Sequence, residues 1–488
     1  MNKLIFLLFF SLFFVRGLVS LDPDFGFRLR TGQLILSQGF PKTDPYSYTM
    51  PSYSYVEHAW LVAVFWAVLL PIITKVGLAL ITSILAISAI LISASIGVKK
   101  GLRSLKYDFF PVFLASSFFL AFFGIRAQIV SWFMFCLLFK ILFDEQVLER
   151  WKLALPALFL VWANLHGSFA AGLMILSLTL IVRWVRGKRF KIYDLLVVAA
   201  SWLSTLINPY GFGAFKEVWS SVSDASLRWR ISEWKPGIFS GDFSLALFST
   251  LSIFLVIKYR KKIALEKVVL YCVLFFLGLS SARHLPIWLL LALPMTIESF
   301  DIFYLEIKKI KGAAVRYQKA LKFAFIGAII VFIFQSFFSL RGALALNEEF
   351  FYPKEAVAYL RHNHPKGQIF SEYGWGGYLI WKLPEKKVFI DGRMPSWRQS
   401  SNLARESANA MQDYLDLLDG KVSYREVFKN YNIDTVLWPS PKKKSYFDIL
   451  SEKLFHEKDF DFPGSLIKTG WIITYQDEVS TVYKKLGL

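Results

Sequence analysis

Cysteine and histidine are scarce in this sequence, and charged residues are few. Among 488 residues there are 2 cysteines and 6 histidines. Both cysteines, Cys136 and Cys272, lie inside apolar runs, which excludes a disulfide framework. Only 19 % of the chain is charged, whereas 55 % is hydrophobic and 17 % is aromatic. This composition excludes a soluble multidomain protein and is typical of a polytopic membrane protein.

Acidic residues are few in the first 341 residues in particular. This part holds 36 Lys/Arg against 17 Asp/Glu, whereas residues 342–488 hold 20 against 19. An excess of +19, nearly all of the net charge of +20, therefore lies between the apolar runs. Because basic loops beside spans mark the cytoplasmic side, the charge indicates topology, and we do not expect nucleic acid as a partner.

Twelve apolar runs are long enough to be considered as spans, but only eleven can cross the membrane. Lys3 is placed inside, residues 21–58 outside, and the basic segment around Lys99 inside, so only one of the runs 59–73 and 77–97 crosses. Run 59–73 is too short, about 22 Å against a core of about 30 Å, and we predict a helix at the outer face. The eleven predicted spans are 3–20, 77–97, 109–124, 128–143, 152–165, 168–184, 193–208, 243–257, 265–281, 284–299 and 321–340.

The chain then divides into two predicted domains. Residues 1–341 form a transmembrane domain with a large first external loop (21–76), and residues 342–488 form an extracytoplasmic α/β domain. We expect a multi-pass protein of the plasma (inner) membrane with a cytoplasmic N-terminus; alternatively, residues 3–20 are a cleaved signal peptide. In the second domain, helices are predicted at 353–362, 402–418, 422–431 and 444–455, and strands at 368–370, 387–390, 434–437 and 471–473.

Polar residues gather at the predicted outer face, where ionisable groups are informative because they are costly at membrane depth. They are Asp22, Asp24, Arg28, Asp44, Glu57, His58, Arg126, Asn164, His166, Glu233, Trp234, Arg283 and His284. A carboxylate near several arginines at one membrane face suits transfer of a group carried on a lipid phosphate. The carboxylate would deprotonate the acceptor, and the arginines would stabilise the charge of the leaving phosphate.

Several of these residues also have a structural interpretation. The two aspartates could cap a helix, Arg126 and Arg283 could extend to lipid headgroups, and His166 could be a hydrogen-bonding residue at a helix break. The segment 208–211 could be a turn that ends a span. Asp391-Gly392-Arg393 directly follows a predicted strand and could be either a site or a plain turn.

Four motifs occur in order along the chain. The first runs from Asp22 to Arg28 and continues to Asp44-Pro45-Tyr46. The others are Ile231-Ser232-Glu233-Trp234-Lys235-Pro236, Ala282-Arg283-His284-Leu285, and Ser371-Glu372-Tyr373-Gly374-Trp375-Gly376-Gly377-Tyr378. In this order the motifs resemble those of the GT-C membrane glycosyltransferases, in particular the oligosaccharyltransferase catalytic subunits. The chain is also similar to uncharacterised bacterial GT-C-like proteins with Trp-Ala-Asn-Leu-His-Gly and Gly-Gly-Tyr-Leu patterns.

The departures from that family limit what the resemblance implies. Gly124–Gln128 lacks the acidic pair that helps hold a metal in oligosaccharyltransferases, so a divalent metal is possible but not expected. The family's W-W-D-Y-G motif, which reads the acceptor sequon, is replaced here, so protein N-glycosylation is not expected. Related metal-independent enzymes use a polyprenyl-phosphate monosaccharide, and the resemblance implies that class of donor.

The predicted function is therefore transfer of a sugar from a polyprenyl-phosphate donor to an extracytoplasmic glycan, lipid or protein acceptor. Asp24 is the expected base, with Asp22 as the second choice, and Glu233 is expected to orient the acceptor or hold an optional metal. The residues expected to bind the donor phosphate are Arg283, Arg126 and Arg28. Those expected to line the cavity are Glu57, His58, Asn164, His166, Trp234 and His284, and those expected on the acceptor side are Tyr373, Trp375, Asp391 and Arg393. The alternatives are a non-catalytic GT-C-like scaffold or lipid-glycan partner in envelope assembly, and a transporter.

Overall fold

A computed structural model describes residues 3–97, 110–187, 192–224, 231–310, 312–400, 405–441 and 460–485. The chain divides into two compact units. The helical unit contains residues 1–20, 57–62 and 68–343, and the sheet unit contains residues 21–56, 63–67 and 344–488. Residues 21–56 and 63–67 of the first external loop (21–76), which the sequence assigned to the transmembrane domain, thus group with the C-terminal residues, whereas the rest of that loop belongs to the helical unit.

A helix lies at each of the eleven predicted spans. They are α1 (Lys3–Val19), α3 (Trp60–Gly97), α4 (Phe110–Phe122), α5 (Gln128–Phe143), α7 (Leu155–Leu165), α8 (Phe169–Val185), α9 (Ile192–Ser204), α11 (Phe243–Tyr259), α12 (Leu265–Ser280), α13 (Leu285–Ile307) and α14 (Ala313–Leu344). Two further helices, α6 (Glu145–Trp151) and α10 (Gly213–Ser223), lie in connections. The predicted class of a multi-pass α-helical protein is confirmed.

Length separates these helices into two groups. Within the described ranges, three segments are long and apolar enough to cross a membrane: Trp60–Gly97, Ala282–Ile307 and Ala313–Leu344. The other apolar helices are shorter; α4, for example, has 13 residues, about 20 Å of rise against a hydrocarbon core of about 30 Å. Eleven complete crossings therefore remain a prediction.

Helix α3 is broken at Thr74, between the two apolar runs that the sequence separates. Thr74 has φ 56°, a left-handed conformation that is strained for a β-branched residue. Pro71 lies one turn before the break and lacks the N–H that a continuous helix needs. The first run is thus helical and ends where the sequence predicts, whereas its position at the outer face remains a prediction.

The helical unit is built around α13, which is buried along nearly its whole length. A helix that is hydrophobic on all sides needs neighbours on all sides. Trp288 is fully buried among aromatic rings of α11 and α12, and the Ser93 hydroxyl of α3 donates to the Leu290 carbonyl (2.7 Å). The residues just before α13 are therefore attached to a helix that is packed on all sides.

The sheet unit contains a four-stranded sheet in the order β1-β2-β4-β3. Its strands are β1 (Gln368–Ser371), β2 (Ile433–Pro439), β3 (Trp471–Gln476) and β4 (Ser480–Lys485). β1 and β2 are parallel, and the other pairs are antiparallel. The unit's helices are α2 (Phe25–Gln38), α15 (Lys354–Asn363), α16 (Gly376–Lys382), α17 (Ala410–Leu418), α18 (Tyr424–Tyr431) and α19 (Phe462–Lys468).

The predicted α/β character is confirmed, with local differences. The predicted strand 387–390 does not join the sheet; Val388 forms one bridge with Ser47 of the first loop. The helix predicted at 402–418 begins at Ala410, and the one at 444–455 lies outside the described residues. The sequence did not predict β4, which lies between β2 and β3 and pairs with both.

Candidate functional site

Arg126 and Glu233 form an ion pair in the helical unit. The Arg126 Nη1 lies 2.5 Å from the Glu233 Oε1, and both side chains are partly exposed, at 23 % and 34 %. Arg126 lies in the turn between α4 and α5, where its N–H donates to the Gly124 carbonyl (2.9 Å). Glu233 lies in the short 3-10 turn Ser232–Trp234. Two predicted site residues more than a hundred positions apart are thus in direct contact.

Arg283 belongs to the same cluster. It lies in the 3-10 turn Ala282–His284 that leads into α13, and its guanidinium carbon is 5.2 Å from the centre of the Trp234 ring. Trp234 also packs edge-on against His284, with ring centres 6.3 Å apart. A guanidinium over an aromatic face is attracted by the ring, so Trp234 helps to hold the Arg283 side chain in the cluster.

The two turns are joined through their backbones. The Ala282 N–H donates to the Lys235 carbonyl (2.8 Å), and the Ser281 hydroxyl donates to the Glu233 carbonyl (3.3 Å). The backbone that carries Glu233 is therefore attached to the backbone that carries Arg283.

Glu233 is an acidic residue of this cluster, and both guanidiniums act on its carboxyl. The Arg126 guanidinium lowers the pKa of the Glu233 carboxyl, while burial opposes this shift and Arg283 adds to it. Glu233 is therefore ionised at neutral pH, and the cluster of two guanidiniums and one carboxylate carries a net positive charge. This balance favours an anion and disfavours a metal ion at Glu233. Among the described residues, no group of three or more His, Cys, Asp or Glu is placed to hold a metal.

Arg126 thus has a protein partner, and its extension to lipid headgroups stays an alternative prediction. Arg16, which the sequence did not single out, supports the turn that carries Arg126. Buried Arg16, near the end of α1, donates from Nε to the Phe123 carbonyl (2.9 Å) and from Nη2 to the Ala121 carbonyl (2.6 Å). A third contact runs from Nη1 to the Ser339 carbonyl. The Ala121 and Phe123 carbonyls lie at the end of α4, shortly before Arg126. A lone arginine at the end of an apolar run is the signal that could have identified it.

His166 has a fixed hydrogen-bonding role. Its Nδ1 accepts a bond from the Ser168 backbone N–H (3.2 Å), and the Ser131 and Ser168 hydroxyls lie 2.9 Å away. A backbone N–H can only donate, so Nδ1 is the acceptor and the ring proton lies on Nε2. The His58 ring packs edge-on against His166, with centres 5.5 Å apart.

Asn164 and Glu57 hold helix ends. The Asn164 Oδ1 accepts from the Trp60 indole (2.8 Å), and its amide donates to the Ile207 carbonyl (2.9 Å). The buried Glu57 Oε1 accepts from the Ala59 N–H (3.1 Å) at the start of α3. The segment 208–211 is the predicted turn, closed by the Gly211 N–H on the Asn208 carbonyl (3.2 Å).

The first-loop candidates lie in the sheet unit. The Asp24 N–H donates to the Asp22 Oδ1 (3.0 Å), so Asp22 orders the turn. Asp24 stands at the N-cap of α2, but its side chain makes no capping bond. Its carboxylate instead lies against Gly392, where an added Cβ would be 2.6 Å from the Asp24 Oδ1. Arg28 is buried, 5.3 Å from the Phe27 ring centre.

Arg393 is fully enclosed. Its guanidinium contacts Asp391 (2.5 and 2.8 Å) and Asp44 (2.6 Å), and the Arg393 side chain is 5 % exposed. Four aromatic ring centres lie 4.9–5.7 Å from the guanidinium carbon, those of Phe27, Tyr46, Tyr55 and Trp397. Asp391-Gly392-Arg393 is also a turn, closed by the Met394 N–H on the Asp391 carbonyl (3.1 Å). This geometry favours a structural role that ties the first loop to the C-terminal residues.

The two remaining acceptor-side candidates differ in exposure. Trp375 is 2 % exposed, and its indole donates to the Phe351 carbonyl (2.7 Å). Tyr373 is half-buried, and its backbone N–H donates to the Tyr414 hydroxyl (3.1 Å). Their role toward an acceptor stays a prediction.

Comparison with known proteins gives a structural likeness. No protein-family model matches the chain, and no curated protein does. Among solved structures the chain is similar to ArnT from Cupriavidus metallidurans bound to undecaprenyl phosphate, with 11 % identity and a TM-score of 0.48. The likeness covers 98 % of this chain and 97 % of that one.

Proposed function

We propose that this protein is a membrane glycosyltransferase that moves a sugar from a polyprenyl-phosphate donor to an extracytoplasmic acceptor. The cluster of Arg126, Glu233, Arg283 and Trp234 is the observation that carries the proposal. It supplies two guanidiniums at loop positions next to apolar helices, and so suits a phosphate whose lipid tail lies in the bilayer. The order of the four motifs in the sequence supports the same class.

Arg283 lies at a position that is electrostatically unfavourable for a cation apart from the nearby Glu233 carboxylate. It directly precedes α13, and the N-terminus of a helix carries partial positive charge that repels a cation. A bound phosphate would be stabilised by both the arginine and the helix terminus. Residues that conflict with local electrostatics are commonly functional.

The proposed reaction uses these charges in the transition state. The acceptor oxygen or nitrogen forms a bond to the anomeric carbon while the bond from that carbon to the donor phosphate oxygen breaks. The acceptor proton passes to Asp24, the proposed base, and the lipid phosphate leaves with one additional negative charge. Arg283 and Arg126 stabilise that developing charge more than the charge of the bound donor, which lowers the barrier.

The test is sugar transfer by purified protein. With a radiolabelled polyprenyl-phosphate hexose, we expect Arg283→Gln to lower the rate about a hundredfold or more, as loss of a charge-stabilising group commonly does. Arg341→Gln, which removes an exposed arginine from the last turn of α14, should retain the rate. Asp24→Asn tests the base, and transfer that survives Asp24→Asn together with Asp22→Asn would overturn that assignment. Donor binding without transfer would favour a non-catalytic scaffold.

A further inference from the structure

Glu233 occupies the position on Arg126 that an anionic ligand would need. Its carboxylate contacts the Arg126 Nη1 at 2.5 Å. A phosphate oxygen binding the same N–H would lie close to the carboxylate, and two anions at such a distance repel each other strongly. The ligand and the Glu233 carboxylate therefore compete for one guanidinium.

The charges of the cluster allow a phosphate to replace the Glu233 carboxylate on Arg126. Among the ion pairs of the described residues, Arg126 pairs with Glu233, and none includes Arg283. Both guanidiniums act electrostatically on the Glu233 carboxylate, so a phosphate that replaced this carboxylate would be attracted by both of them. The partly exposed carboxylate would then become solvated, so its release does not require burial of an unpaired charge.

The backbone around Glu233 permits this exchange without moving the turn. The Glu233 carbonyl is bound by Ser281 and the Lys235 carbonyl by Ala282, while the Trp234 N–H donates to the Ile231 carbonyl (3.0 Å). The side chain of a glutamate has three rotatable bonds, so rotation alone can withdraw its carboxylate.

We propose that Glu233 is a built-in competitor of the donor: it holds Arg126 in position before binding, and the donor phosphate displaces it. This inference rests on the proposed function and adds the order of events at the same site. Before binding, the carboxylate offsets the repulsion between the two guanidiniums. After displacement, Glu233 is free to turn toward the acceptor.

The test is phosphate binding, measured separately from transfer. Farnesyl monophosphate is titrated into the purified full-length protein in detergent by calorimetry, with farnesol as the uncharged control. Glu233→Gln keeps the length of the side chain but removes its charge, so farnesyl monophosphate should bind about three- to tenfold more tightly than to the wild type. Arg126→Gln and Arg283→Gln should each weaken binding about tenfold or more.

A matched control separates competition from a general change in charge. Glu349→Gln removes the carboxylate of an exposed ion pair with Lys354 (2.7 Å) and should leave the affinity unchanged. Unchanged or weaker binding by Glu233→Gln, with binding that still depends on both arginines, would overturn this inference and leave the proposed function standing. Binding that depends on neither arginine would overturn both. Each variant is first checked for a monodisperse elution profile.

Discussion

Arg393 shows how one residue can join parts of the chain that are distant in sequence. Its partner Asp44 lies 349 positions away in the first loop, and neither carboxylate partner is exposed. The sequence predicted a turn or a site at Asp391-Gly392-Arg393 but could not predict this network. The sequence signal for these contacts is weak because Arg393, Asp391 and Asp44 share no motif. Only Asp44 lies within a segment that resembles the family.

Removal of Arg393 should destabilise the sheet unit. Arg393→Met leaves the Asp44 and Asp391 carboxylates buried without their cation, at a cost of about 3–5 kcal/mol. We expect the first loop and the C-terminal residues to become sensitive to protease at lower temperature than in the wild type. Lys421→Met removes an exposed cation that contacts Asp419 (2.6 Å) and should have almost no effect. Equal sensitivity of the two variants would contradict the structural role of Arg393.

Glu372 should make stability depend on pH. Burial raises the pKa of the Glu372 carboxyl, only partly offset by the backbone N–H groups of Gly374 and Trp375. The pKa of Glu372 is higher in the folded protein than in the unfolded one, so the protonated carboxyl favours the folded state. This contribution to stability is complete below the unfolded pKa and is lost as the pH rises through the folded pKa.

We therefore expect Glu372→Gln to gain stability over the wild type as the pH rises from about 4 to about 7. Thermal unfolding followed by tryptophan fluorescence at several pH values measures this difference. Glu385→Gln, at an exposed carboxylate, is the control. A difference between Glu372→Gln and the wild type that does not change with pH would count against a buried carboxyl at this position.

Among the elements, the apolar helices were the most predictable. Runs such as 128–143 match their helices because a long apolar segment in a membrane protein must satisfy its own backbone. The strand predicted at 387–390 fails for a tertiary reason. The Val388 N–H and carbonyl bond to Tyr46 and Tyr48, and the Thr49 hydroxyl donates to the Phe389 carbonyl (2.6 Å). A β-type pattern shows that a segment is extended but cannot show which segment pairs with it.

Only part of the candidate site could be predicted from the sequence. The sequence singled out Arg126, Glu233 and Arg283 because charges beside apolar runs are unusual, and the structure brings these three together. The sequence could not show that Arg16 supports the turn that carries Arg126. It also could not show that Ser131 contacts His166. A serine or arginine that binds a helix-end carbonyl or a ring nitrogen is recognisable only from its tertiary neighbours.

The packing of α2 against α16 requires glycine at two positions. An added Cβ at Gly377 would lie 2.2 Å from the Pro23 carbonyl oxygen, and one at Gly26 would lie 2.2 Å from the Gly377 carbonyl oxygen. Both contacts are with backbone, which cannot rotate away. The Gly-Gly segment of the fourth motif thus lets α16 approach the backbone beside Asp24.

Gly377→Ala should separate these two helices. Overpacking of this kind costs about 1–3 kcal/mol and should displace the Asp22–Asp24 turn, which lowers sugar transfer together with protease resistance of the first loop. The control is Gly342→Ala in α14, where no atom lies within 4 Å of the added Cβ. That change should stabilise its helix slightly, by about 0.5–1 kcal/mol. Equal behaviour of the two variants would contradict the close packing.

At the scale of the whole molecule, the predicted orientation can be tested by side-specific labelling. The charge distribution places the basic segment 99–106 in the cytoplasm and the loop 208–242 on the opposite side. In a background with Cys136 and Cys272 replaced by serine, Gly101→Cys and Ser220→Cys each introduce a single thiol. A membrane-impermeant maleimide added to intact cells should label the cysteine at position 220, whereas the one at 101 should react only after the membrane is opened. Labelling of both positions from the same side would contradict the odd number of crossings between them, and with it the proposal that the cluster of Arg126, Glu233 and Arg283 serves an extracytoplasmic acceptor.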